Sequence, residues 1–170
     1  NNSDIAIDFM LKTRSQWRLG GRVSHLFGDD IREDGILDSI STSGGAIING
    51  NGQFASVRLF ERGMTWMFTA GRLIPALGPN PNCGFYFDIS FGGIYHKIRI
   101  EDVGNLSYQL TDEYKKGYDR LTSGHLIGES IGYQYLGNKK RINFFVCLEA
   151  YQGFTTSRRS YNYDTMTADT

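Results

Sequence analysis

Apolar residues recur at every second position through most of this chain, the mark of strands buried or covered on one face. Ile5, Ile7, Phe9 and Leu11 alternate with Ala6, Asp8, Met10 and Lys12. After a polar break at 13–16 the pattern resumes with Trp17, Leu19, Gly21 and Val23 against Arg18, Gly20, Arg22 and Ser24. Phe85, Phe87, Ile89 and Phe91 form a third series, and Ile142, Phe144, Val146, Leu148 and Ala150 a fourth. Helical spacing is rare, with one short helix expected near 33–40.

The connections sort into two kinds. Segments 13–16, 74–83 and 137–140 are short and rich in turn residues. Segments 28–52, 102–121 and 155 onward are long and polar. Strict alternation of short turns and long loops predicts an all-β, antiparallel up-and-down transmembrane barrel, with its short turns on the periplasmic side. Segment 53–73 decides whether the alternation holds. One long strand preserves it, whereas a hairpin at 61–63 breaks it. The apolar parity changes inside this segment, from Val57 and Leu59 to Trp66, Phe68 and Ala70, and a bulge near 61–63 is expected to absorb the change. The part before it should stand above the membrane and pair with 95–101.

On this reading the apolar series face lipid. The opposite faces carry Asp8, Lys12, Arg18, Arg22, Asp88 and Glu149, three acids against three bases, expected as a paired ionic plug in the lumen. Gly20, Gly71, Gly92 and Gly132 relieve crowding there, and Trp17, Trp66, Tyr133, Tyr135 and Phe144 suit aromatic girdles. Glu129 falls on the lipid side of the 122–136 strand. A bulge, a shallow position or a protein partner would each account for it.

Length and composition add limits. The 170 residues suit a single domain spanning 1–170. Lys and Arg equal Asp and Glu, which gives no pull towards nucleic acid. No run of about 18 apolar residues exists, so no membrane helix is expected. Cys83 and Cys147 make neither a disulfide framework nor a zinc site, and a bridge between them is not expected. Six strands are counted where such barrels have eight or more, so a strand missing at each end is expected.

Little chemistry is legible. No helical metal motif, phosphate loop or dinucleotide fingerprint occurs, and no cofactor is expected. His96 or His125 with Ser123 and Glu101, or His25 with Ser24, would make an enzyme only if the strands brought them together. The acidic run Asp29, Asp30, Glu33, Asp34 and Asp38 lacks a calcium-loop pattern. Two loop stretches mix aromatic and cationic residues: Tyr108 with Tyr114, Lys115, Lys116, Tyr118 and Arg120, and Arg158-Arg159 with Tyr161 and Tyr163. With Glu61, Arg62, Lys97, Arg99 and Glu129, residues Tyr114, Lys115, Tyr118 and Arg120 are the candidates for facing a partner or lipopolysaccharide.

Several segments resemble small outer-membrane β-barrel proteins of the Bacteroidetes type. They are Val57-Arg-Leu-Phe-Glu-Arg-Gly63, His96-Lys-Ile-Arg-Ile-Glu-Asp102, Glu113-Tyr-Lys-Lys-Gly-Tyr-Asp-Arg-Leu121 and Ile131-Gly-Tyr-Gln-Tyr-Leu136. Arg141-Ile-Asn-Phe-Phe145, Gln152-Gly-Phe-Thr155 and Tyr161-Asn-Tyr-Asp164 add to them. The resemblance implies an eight-stranded barrel in the bacterial outer membrane, with relatives among accessory barrels of type IX secretion machines. It carries over no catalytic residue. The expected function is thus a non-enzymatic, porin-like barrel serving an envelope machine. A small-barrel membrane hydrolase or acyltransferase and a soluble lipocalin-like barrel are the alternatives.

Overall fold

The computed structural model describes residues 2–29, 31, 35–104, 106–139 and 141–168. Six strands, β1 (Asn2–Lys12), β2 (Trp17–Gly28), β3 (Val57–Pro75), β4 (Gly84–Asp102), β5 (Thr122–Leu136) and β6 (Asn143–Ser157), form one antiparallel sheet. Their order in space is their order in sequence, so the chain is an all-β meander. A small hairpin of β7 (Tyr161–Asn162) and β8 (Thr167–Ala168) follows. The sheet is not closed: among the described residues nothing pairs with the outer edge of β1 or of β6.

All three short turns lie at one end of the sheet and the long loops at the other. In the first turn Thr13 Oγ1 accepts from the Trp17 amide at 3.0 Å, and Gln16 takes a left-handed φ of 68°. In the second, the Asn80 side chain accepts from the Asn82 amide at 2.9 Å, the self-bonding that makes asparagine a turn former.

β3 is one strand of 19 residues, as its place in the alternation requires. The expected bulge at 61–63 does not exist. The register with β4 runs without a break from Val57↔Asp102 to Pro75↔Gly84. Val57, Leu59, Thr65, Met67 and Leu73 therefore all point to the same side. The chain keeps its phase, and what changes is the covering of that side. At its loop end the sheet is roofed by the long loops, and Val57 and Leu59 pack against a cluster of Ile36, Leu37, Ile47, Ile98, Ile100, Leu110 and Tyr118. An apolar inward residue is favoured there as an apolar outward one is lower down.

The roof joins three loops. The Leu37 amide donates to Asp164 Oδ1 at 3.0 Å, and Arg120 pairs with the same carboxylate at 3.5 Å. Arg159 grips Asp119 with two donors, Nε at 2.8 Å and Nη2 on the second oxygen. Those bonds raise the pKa of the Arg159 guanidinium above its ordinary value. Tyr118 and Tyr163 meet edge to face at 5.4 Å. The helix expected near 33–40 falls partly outside the described residues. Its described part is a turn followed by one 3-10 turn at Asp38–Ile40. A one-turn helix, α1 (Asp112–Lys115), was not foreseen, and Thr111 caps it.

Candidate functional site: an oblique apolar band over an ionic inner face

Side chains on one face of the sheet reach across to strands that are not neighbours, which identifies the concave side. Arg18 on β2 meets Asp88 on β4, with Nε 3.0 Å and 3.1 Å from the two carboxylate oxygens. Its Nη1 donates to Gln134 on β5 at 2.8 Å, and its guanidinium lies over the Tyr86 ring at 3.9 Å. Arg18 is 7% and Asp88 2% exposed. Ions so deeply buried need both charge and hydrogen-bond partners, and Gln134 and Tyr86 complete that shell.

A second cluster spans further. Arg22 on β2 donates to Glu149 on β6 at 2.9 Å and to the Tyr151 hydroxyl at 2.7 Å, and lies 3.6 Å from Asp8 on β1. Tyr151 in turn donates to Glu149 at 2.7 Å. Lys12 shares this face but turns to the strand end, where Nζ donates to Gln16 Oε1 at 2.9 Å and the Thr13 carbonyl at 3.3 Å. The concave space measures about 800 Å³ and is lined by these groups with Met10, Met67 and Thr69.

The 122–136 strand reads with Gln134 on its inner side, as found, whereas Tyr86 and Tyr151 are not singled out from the sequence. A signal for the tyrosines was present: each stands directly across from a glycine, Tyr86 from Gly132 and Tyr151 from Gly128. A Cβ on Gly132 would come 2.6 Å from the Tyr86 hydroxyl, and one on Gly71 would overlap Asp88 Oδ1. The glycines make room for the cluster.

The convex face is apolar and uncovered. Ile7, Phe68 and Leu148 are each more than two-thirds exposed. The outward apolar run covers Ile5 to Leu11 on β1 and Phe144 to Ala150 on β6. Following paired residues across the sheet carries Ile5 to Thr156 and Leu11 to Ala150. The run on β6 thus stands six residues nearer the short turns than the run on β1. The strands between carry outward runs over 17–23, 64–74, 85–91 and 127–135, whose lower ends at Trp17, Ile74, Phe85 and Tyr135 step down towards β6. The band therefore crosses the sheet obliquely, by roughly one residue per strand. A belt that is level in a membrane must do this when the strands are tilted by about 35–45°. Rings gather at its lower margin: Phe85 with Tyr133 at 5.2 Å, Tyr135 stacked on Phe144 at 5.3 Å, and Arg72 over Trp17 at 5.7 Å.

The same obliquity accounts for Glu129. No bulge turns it inward, since β5 pairs without a break on both sides. It remains exposed on the convex face, one outward position beneath the upper end of the β5 run at Ile127.

The remaining candidates separate. Arg62, Lys97 and Arg99 point outward above the band, while Glu61 takes the inward parity. Tyr114 is exposed and Lys115 is half-buried beside Asp112. Arg120 is half-buried against Asp164. Tyr118 is not a surface residue: at 4% exposure it belongs to the roof, because its ring fills the space above Ile98 and Ile100.

The hydrolytic sets do not assemble. His25 and Ser24 lie on opposite faces, Ser24 being bonded to Thr65 Oγ1 at 2.7 Å and His25 stacked on Phe27. Ser123 Oγ accepts from Arg158 Nε at 2.6 Å, His125 stacks on Phe91, and His96 has the inward parity. Asp30, Glu33 and Asp34 of the acidic run lie outside the described residues. Among the described residues no three metal-binding side chains converge, no helix is long and apolar enough to cross a membrane, and both cysteines are free.

Comparison with protein-family models, with curated proteins and with solved structures gives no match.

Proposed function

We propose that this chain forms the larger part of an eight-stranded β-barrel of the bacterial outer membrane, with one further strand against each free edge of the sheet. Its role is non-enzymatic: a structural or accessory part of an envelope machine that presents its roof of loops outward. The oblique apolar band carries this reading. A soluble lipocalin-like barrel would turn its apolar face inward around a ligand, whereas here the inward face is ionic and the outward face bare. Arg22 and Glu149 add support for the strand number. β2 and β6 are four strands apart, and such strands face each other across an eight-stranded cylinder. The paired charges of the interior suit a plug better than a solute channel, and the roofed top agrees with that.

Extraction tests the reading. Expressed in a bacterium with an outer membrane, the protein should stay with the envelope through alkaline and urea washes and leave only in detergent. Release by the washes would contradict it. A photo-crosslinker at Tyr114 on the roof should then capture a protein that one at Ile89 on the band does not. Equal capture at both would count against a role through the loops.

A further inference from the structure

Above the band, the outward face of the β3–β4 ribbon carries a charge arrangement that its own residues do not resolve. Arg62 and Lys97 are direct cross-strand partners on that face, and Arg99 is the next outward residue on β4. Like charges directly opposite each other on a sheet are destabilising unless something neutralises them. Glu61 takes the inward parity, and the other carboxylates nearby are engaged. Glu101 lies 3.8 Å from Arg99, Asp112 3.5 Å from Lys115, and Asp119 is held by Arg159. Among the described residues neither Arg62 nor Lys97 has a carboxylate at salt-bridge distance.

Arg62 is also held in position. Arg62 Nη1 donates to the carbonyls of Glu61 at 2.6 Å and Gly28 at 3.3 Å, and the guanidinium lies 5.0 Å from the Phe60 ring. That leaves its other donors for an outside acceptor. Beside Lys97 a groove of about 490 Å³ opens between the ribbon and the 112–119 segment. Below, the Trp66 indole lies over Gly93, so close that a Cβ there would come 2.9 Å from Nε1. Upwards from the band the outward rows are the indole over Gly93, then Met64 beside Tyr95, then the two cations, an order that matches an amphiphile with acyl chains below and an anionic head above.

We propose that Arg62 and Lys97 bind the phosphate headgroup of a membrane lipid that stands against the band, with Trp66 beside the upper part of its chains. The proposal rests on the band facing lipid. Arginine supplies two-pronged recognition of a phosphate and lysine a point charge.

Trp66 gives a local readout, because Trp17 is the other of two tryptophans and Trp17→Phe leaves a single emitter. The full chain in neutral detergent micelles would be titrated with phosphatidate or with phosphatidylcholine. Phosphatidate should shift Trp66 emission saturably, and phosphatidylcholine should not. Joint Arg62→Gln and Lys97→Gln replacement should weaken the phosphatidate response by roughly 30-fold. Arg72→Gln, at the lower margin, should leave it unchanged. An equal response to both lipids, or an unaltered response in the double variant with its strand content intact, would overturn the site. Competition by inorganic phosphate would also overturn it, as that would mean a site for the free anion. A chain that fails to enter micelles would sink the membrane reading and this proposal together, while a micelle-bound chain without phosphate preference would sink this proposal alone.

Discussion

Two regions of this molecule are built on the same two strands and are inside out with respect to each other. In the band, β3 and β4 present Phe68, Ala70, Phe87 and Ile89 outward, and Asp88 and Thr69 inward. In the ribbon above, the same strands present Arg58, Lys97 and Arg99 outward, and Val57, Leu59, Ile98 and Ile100 inward. No bulge separates the two. The difference teaches that a change of apolar parity along a strand need not be a change in the strand. It can mark the height at which the surroundings of each face exchange roles, here from bare outside and ionic inside to charged outside and roofed inside.

The comparison is tested most strongly at Asp88. Asp88→Leu leaves Arg18 buried without its carboxylate and should cost about 3–5 kcal/mol. Thermal melting in detergent would read this loss. Glu101→Gln, on the outside of the ribbon, should change stability by about 0.5 kcal/mol or less. Joint Arg18→Met and Asp88→Leu replacement should recover most of the loss, because an apolar pair of similar volume needs no compensation.

Ile98→Ala probes the inward side of the ribbon. It opens a cavity beneath the roof and should cost about 2–4 kcal/mol, with faster proteolytic nicking in the 103–121 loop. The outward Phe87→Ala should leave that nicking unchanged.

Ala70→Arg and Phe60→Arg place the same cation outward at two heights on β3. In a bilayer the first should cost about 2–4 kcal/mol. The second faces Arg99 directly across the strands and should cost about 1 kcal/mol or less. Denaturant titration of vesicle-inserted protein would separate them, and equal costs would mean that the band does not meet lipid. The roof gives a smaller effect than the band. Arg159→Gln removes the charged grip on Asp119 and should cost about 1.5–3 kcal/mol locally. It should appear as faster amide exchange in 117–121 while the band strands keep their protection.

Period-two alternation located the strands because each carries one covered face, and loop lengths ordered them because the meander returns to the same end each time. Strand charges at even or odd positions were legible for the same reason. The interior tyrosines were harder to see, since a large ring opposite glycine becomes visible only once register is known. The bulge expected at 61–63, and the bulge offered as one account of Glu129, came from assuming that one face keeps one environment along a whole strand, and that the band runs level across the sheet. Val57 and Leu59 break the first assumption and Ala150 breaks the second. Tyr118 looked like a surface aromatic because its neighbours Lys116 and Arg120 are polar. Its burial depends on three loops meeting, which no local pattern encodes.

A nitroxide scan along β4 from Phe85 to Glu101, in vesicles, tests the central claim most directly. Cys83 and Cys147 would first be replaced by serine. Collision with oxygen, which concentrates in lipid, and with a water-soluble nickel chelate would be recorded at each position. The account predicts strong oxygen access at 85, 87, 89 and 91 and little access to either reagent at 86 and 88. It predicts nickel access at 97, 99 and 101, and protection from both at 98 and 100, with the period of two unbroken throughout. Nickel access at 85–91, or a slip in the period between 91 and 97, would contradict it.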